Sequence, residues 1–153
     1  MTNSVPVLTP DEALTRVDRL LDLSNIRMKL ANPENGEPPS AAQIDLMEGE
    51  YRRFLALKLS YPDSEIVPDA LVDEMWHRHI LDTAAYRADC EVIFGRFIDH
   101  FPYFGMRGPE DAEALDDAFA ETRRLYMEAF GEPLGEIGEA VRCRTQCKPV
   151  RCR

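Results

Sequence analysis

The chain contains three histidines, and two of them stand almost together in the string Trp76-His77-Arg78-His79. Such a pair invites a metal reading, so its geometry comes first. Residues two apart on an α-helix are about 200° apart around the axis, which sends the two imidazoles to nearly opposite faces. One ion does not readily take both. His77 shares its face with Asp73, four residues earlier, and with Leu81; His79 shares its face with Trp76 and Asp82. Each ring therefore has a carboxylate in reach that can fix its tautomer, and for His79 the expected effect is a raised pKa. His77 reads as a surface Asp-His pair or as an oriented general base, and His79 as a hydrogen-bonded core histidine or a metal or ligand contact. His100 falls at the expected end of the same helix, where the dipole favours a protonated cap. A straight helix would put His100 about 31 Å along the axis from His79. A shared site needs a break near Gly95.

The second chemically distinct segment is the end of the chain. Cys143, Cys147 and Cys152 follow a Cys-x3-Cys-x4-Cys spacing among Arg142, Arg144, Lys148, Arg151 and Arg153. The basic neighbours lower thiol pKa values and make the sulfurs nucleophilic and easy to metallate. Three thiolates lack the fourth ligand of a closed zinc site, whereas Cu(I) prefers thiolate and accepts fewer ligands. Three readings stay open: a disordered basic end, a metal-binding or redox-active tail, and a substrate tail presented to a modifying enzyme. His79, His100, Cys143, Cys147 and Cys152 are the candidate ligands, with Zn or Cu as the ion.

Four helices are expected to carry these residues. Thr9-Pro10-Asp11-Glu12 is a capping box with proline at the first helical position, and an apolar stripe from Ala13 runs on through Leu30 with a bend near Ser24-Asn25. Residues 32–39, rich in Pro, Asn and Gly, form a loop. Ser40 with Gln43 opens a second helix to about Leu59, in which Ile44, Met47, Tyr51, Phe54, Leu55 and Lys58 keep the helical period and only Lys58 is charged. The third helix spans about 68–100, and the fourth starts at Pro109 and stops at Gly131. Along the third, Val72, Trp76, His79, Thr83, Tyr86, Cys90, Ile93 and Phe97 fall on one side, giving a buried seam with polar groups in its middle.

No strand-like alternation interrupts this pattern, so the fold class is all-α: a single-domain bundle of about four helices with a long third helix over 1–141, then a flexible basic tail over 142–153. At 153 residues the chain can build a core without disulfides or metal. Of its 18 basic and 28 acidic residues, 142–153 hold five bases and no acid, so the tail is +5 and the rest of the chain −15. An acidic body disfavours nucleic acid except through the tail. Neither a signal peptide nor a membrane-length apolar run is visible, which points to the cytoplasm and reduced thiols.

Residues 72–83, Val-Asp-Glu-Met-Trp-His-Arg-His-Ile-Leu-Asp-Thr, with Tyr86, Asp89-Cys90 and Phe94-Gly95 through His100-Phe101-Pro102, resemble the core motif of the glycine-rich domain-containing protein-like family, in one of its short bacterial forms. Glu50-Tyr51-Arg52-Arg53-Phe54-Leu55 and Val67-Pro68 fit as well, so the resemblance covers about residues 20–130. It marks Asp73, Trp76, His77, His79, Tyr86, Asp89, Cys90 and His100 as motif positions and implies no reaction. With only 8 glycines the chain lacks the glycine-rich region of the plant proteins.

No nucleophile elbow, phosphate-cradling glycine loop or His-Glu-x-x-His helix is present. The expectation is a binding or interaction protein with a protein partner and no membrane role, not an enzyme. Its candidate site is Asp73, Trp76, His77, His79, Asp82, Tyr86, Asp89 and Cys90. The alternatives are a precursor-like protein whose tail is modified, and an enzyme using Asp73 and His77 as an acid/base pair.

Overall fold

The computed structural model describes residues 6–134, and within them the chain is entirely helical: α1 Pro10–Leu20, α2 Ser24–Ala31, α3 Ala41–Ser60, α4 Ala70–Leu81, α5 Thr83–Phe94 and α6 Pro109–Phe130. Capping chemistry sets most of the starts. Thr9 accepts from the Glu12 N–H while the Glu12 carboxylate accepts from the Thr9 N–H, and Ser40 and Gln43 repeat the arrangement. Asp69 accepts from the Val72 N–H at 2.9 Å and opens α4. The tail from 142, including Cys143, Cys147 and Cys152, lies outside the described residues.

The six helices replace the expected four because two expected helices are each broken. Leu21 leaves helical geometry at the end of α1, and Arg52 of α3 donates to the Leu21 carbonyl at 2.9 Å, satisfying a C-terminal acceptor that a continuous helix would have used itself. The long third helix does not exist as one rod. Asp82 adopts φ −82°, ψ 73°, closing α4 and capping α5 through its side chain on the Ala85 N–H at 3.4 Å. Gly95 then ends α5 in the left-handed conformation, φ 68°, with its N–H on the Glu91 carbonyl. The seam read from one straight helix is correspondingly cut: Val72, Trp76, His79, Tyr86, Cys90 and Ile93 are buried, while Thr83, at the first break, and Phe97, past the second, are exposed.

α3 is the centre of the bundle, packing most extensively on α1 and also meeting α2, α4 and α6. Tyr51, Met47, Leu57, Met75 and Val17 are among its fully enclosed residues. Two polar ties hold the outer elements. The Arg16 guanidinium of α1 donates to the Val92 and Ile93 carbonyls near the end of α5, and Thr122 of α6 accepts the Val67 N–H at 3.0 Å, fixing the segment that leads into α4. No helix among the described residues is long and apolar enough to cross a membrane.

Candidate metal centre

After Gly95 the chain folds back over α4 instead of extending from it, and a buried relay holds it there. The Trp76 indole N–H donates to the Tyr86 hydroxyl at 3.0 Å, and that hydroxyl donates to the Ile98 carbonyl at 2.6 Å. Ile98 is buried as a result, and His100, two residues on, lies against the Trp76 indole with ring centroids 4.3 Å apart. His100 is therefore not a helix cap: it sits in a loop six residues beyond the end of α5. The chain does break at Gly95, with a second break at Asp82, but the site this forms joins His100 to His77 and Asp73, not to His79 as the shared-site reading required.

This return brings His100 onto His77 and Asp73. The His100 Nε2 is 3.0 Å from Asp73 Oδ1, the His77 Nε2 is 3.4 Å from Asp73 Oδ2, and the two Nε2 atoms are 3.2 Å apart. One ligand atom from each residue lies within 4.8 Å of the others. A tetrahedral ion with bonds of about 2.0–2.1 Å spaces its ligand atoms about 3.3 Å apart; the two Nε2 atoms stand at 3.2 Å, and each of the two Asp73 oxygens faces one of the rings. Asp73 is nearly enclosed, with a side chain 4% exposed, whereas His77 at 33% faces solvent. The triangle is closed beneath and open above.

His79 points elsewhere, as the 200° separation from His77 requires. Its Nδ1 is 2.7 Å from the Tyr51 hydroxyl and its Nε2 2.8 Å from Asp89 Oδ2. The Nε2–H donates to the Asp89 carboxylate, leaving Nδ1 to accept from the Tyr51 hydroxyl. Both nitrogens are thus committed, and the ring does not join the cluster. Asp89, not Asp82, is its partner, because the break at Asp82 turns α5 back beside α4. Burial outweighs the Asp89 hydrogen bond and pushes the His79 pKa down, opposite to the rise expected from a nearby carboxylate alone. Burial likewise drives the Tyr51 hydroxyl well above its ordinary range, and with Tyr51 fully enclosed the Tyr51-His79-Asp89 chain is a structural tie between α3, α4 and α5. Cys90 is also a core residue, its thiol pKa raised by burial.

Beside the triangle lies a cavity of about 400 Å³ whose lining includes Asp73, Trp76, His100, Lys58, Phe104 and Leu115. Lys58 and Phe104 were not among the sequence candidates. Lys58 left a trace all the same, as the single charge on the apolar face of its helix; Phe104 left none, since its position depends on the fold-back of 95–108.

Fold and site together define an all-helical protein with a two-histidine, one-carboxylate cluster at the edge of a cavity. The chain belongs to the UCP032817-like family, whose profile matches residues 24–124. This corrects the resemblance to the glycine-rich domain-containing protein-like family: the motif residues 72–102 all lie within the match, but the family they mark is a different one. No curated protein and no solved structure matches the chain. The family name carries no activity, so function must be argued from the site.

Proposed function

We propose that this protein binds a divalent transition metal, Zn²⁺ in the first instance, through Asp73 Oδ, His77 Nε2 and His100 Nε2. The observation that carries this reading is the convergence of Asp73, His77 and His100, one ligand atom from each lying within 4.8 Å of the others, although Asp73 and His100 are 27 residues apart in sequence. Two imidazoles and a carboxylate suit zinc, and three protein ligands leave a coordination position for water or a bound molecule. The acid/base alternative is absorbed here, since the Asp73-His77 pair supplies two of the three ligands. The reading is of a binding protein.

The test is zinc titration by calorimetry in a Cys143→Ser, Cys147→Ser, Cys152→Ser background, which removes the tail thiols. One equivalent should bind, Trp76 emission should change because His100 lies against its ring, and His100→Ala or His77→Ala should abolish both. His79→Gln should bind zinc normally. Absence of binding in this background, or binding unaffected by His100→Ala, refutes the proposal.

A further inference from the structure

The cavity beside the cluster is lined by one lysine, Lys58. Among the described residues no carboxylate lies within ion-pair distance of Lys58, whose ammonium instead sits over the rings of Phe54 and Trp76, 5.2 and 5.3 Å from their centroids. Its side chain lines the cavity from α3, and the residue is mostly withdrawn from solvent. Burial, helped by the nearby Arg96 cation, lowers its pKa from 10.5 to about 8, only partly offset by Glu65. Aromatic faces stabilise a cation, but they do not replace the hydration it has lost.

The other charges around the cavity are accounted for differently. Arg107 is held by Asp111 at 2.8 Å and stacks over Phe101. Asp73 faces His77 and His100. Glu65 and Asp99 are exposed, so water screens them. Between these groups the walls are apolar, made by Ile66, Val67, Phe104 and Leu115. A cavity of about 400 Å³ with mixed walls, in which Lys58 is the desolvated cation and the apolar faces come from Trp76, Phe104 and Leu115, is the arrangement of a small-molecule site with a charged anchor.

We propose that this cavity binds a small organic carboxylate with an apolar body about the size of a benzene ring, the carboxylate paired with Lys58 and the body against Trp76, Phe104 and Leu115. Charge-assisted hydrogen bonds to the ammonium supply orientation, and the walls supply the burial. The proposal does not depend on the metal: Lys58, not the histidine cluster, is the anchor.

The chain has one tryptophan, and it lines the cavity, so its fluorescence reports occupancy directly. Full-length protein treated with EDTA is titrated with phenylacetate, with the neutral phenylacetamide and with the cationic phenethylamine, three probes of similar shape and different charge. Saturable change in Trp76 emission is expected with phenylacetate, with affinity at least tenfold weaker for the other two. Lys58→Met should weaken phenylacetate at least tenfold. Equal affinity for acid and amide, or no saturation with the acid on the EDTA-treated protein, overturns the inference. The comparison of the three probes is made on unaltered protein, so it stands even if the Lys58 variant folds poorly.

Discussion

Replacing Tyr86 by Phe removes one oxygen and should disturb both the core and the site. That oxygen accepts from the Trp76 indole at 3.0 Å and donates to the Ile98 carbonyl at 2.6 Å, in a residue 2% exposed. Phenylalanine leaves only the space of one oxygen, enclosed on all sides in a residue cut off from bulk water. The indole N–H and the carbonyl are then both buried without their partner, and an orphaned neutral group costs about 1–3 kcal/mol. Taking the lower half of that range for each gives a loss of about 2–4 kcal/mol, or roughly 6–12 °C in Tm at about 3 °C per kcal/mol for a chain of this size. Urea unfolding followed by Trp76 fluorescence measures the first figure and calorimetry the second. The site effect is the more informative one. Ile98 is the anchor that brings His100 back to His77, so zinc affinity should fall in Tyr86→Phe even though no ligand is touched. A variant within about 0.5 kcal/mol of the original, with unchanged zinc affinity, would show that the relay does not position the loop.

Three other outcomes follow from the same structure. His79 has a folded-state pKa below the unfolded value of about 6.5, so the unfolded chain takes up a proton first as pH falls; its contribution to stability is full above about pH 6.5 and is lost as pH drops toward the folded pKa. Denaturation of the original and of His79→Gln between pH 7.5 and 5 should show a steeper loss in the original, and parallel curves would refute the assignment. Gly105 has φ 85°, and a Cβ there would collide with Leu115 Cδ2, so Gly105→Ala should cost about 2–3 kcal/mol from backbone strain and overpacking together, read by thermal melting. Lys58→Met should be about 1–2 kcal/mol more stable at pH 7, because it removes a desolvated charge, and that gain should shrink as pH rises through about 8 toward 10.5, where the native lysine is already neutral in the fold; a loss of stability at pH 7 would count against the desolvation argument.

The helical class, the capped starts of α1 and α3 and the stop at Gly131 were legible because each is written in adjacent residues: Thr9 with Glu12, Ser40 with Gln43, and a glycine after the last apolar turn. The divergence of His77 and His79 was legible for the same reason, since 3.6 residues per turn decides it locally. The break at Asp82 was not, because an aspartate tolerates a helix interior and becomes a cap only when packing favours turning the chain there. The continuous-helix reading therefore gave His79 the wrong carboxylate and kept His100 far from the cluster.

Sequence alone marked the three histidines and Asp73 as candidates, and left Lys58 visible only as the lone charge on an apolar helical face. Only the tertiary structure decided which of them meet. Local periodicity fixes direction around one axis, but the approach of His100 to His77 depends on a chain reversal at Gly95 held by the Trp76-Tyr86-Ile98 relay, and its rings end 4.9 Å apart through contacts no short window of sequence contains. The withdrawal of Lys58 from water has the same origin, because the cavity walls that desolvate it come from α3, α4, α6 and the loops between them.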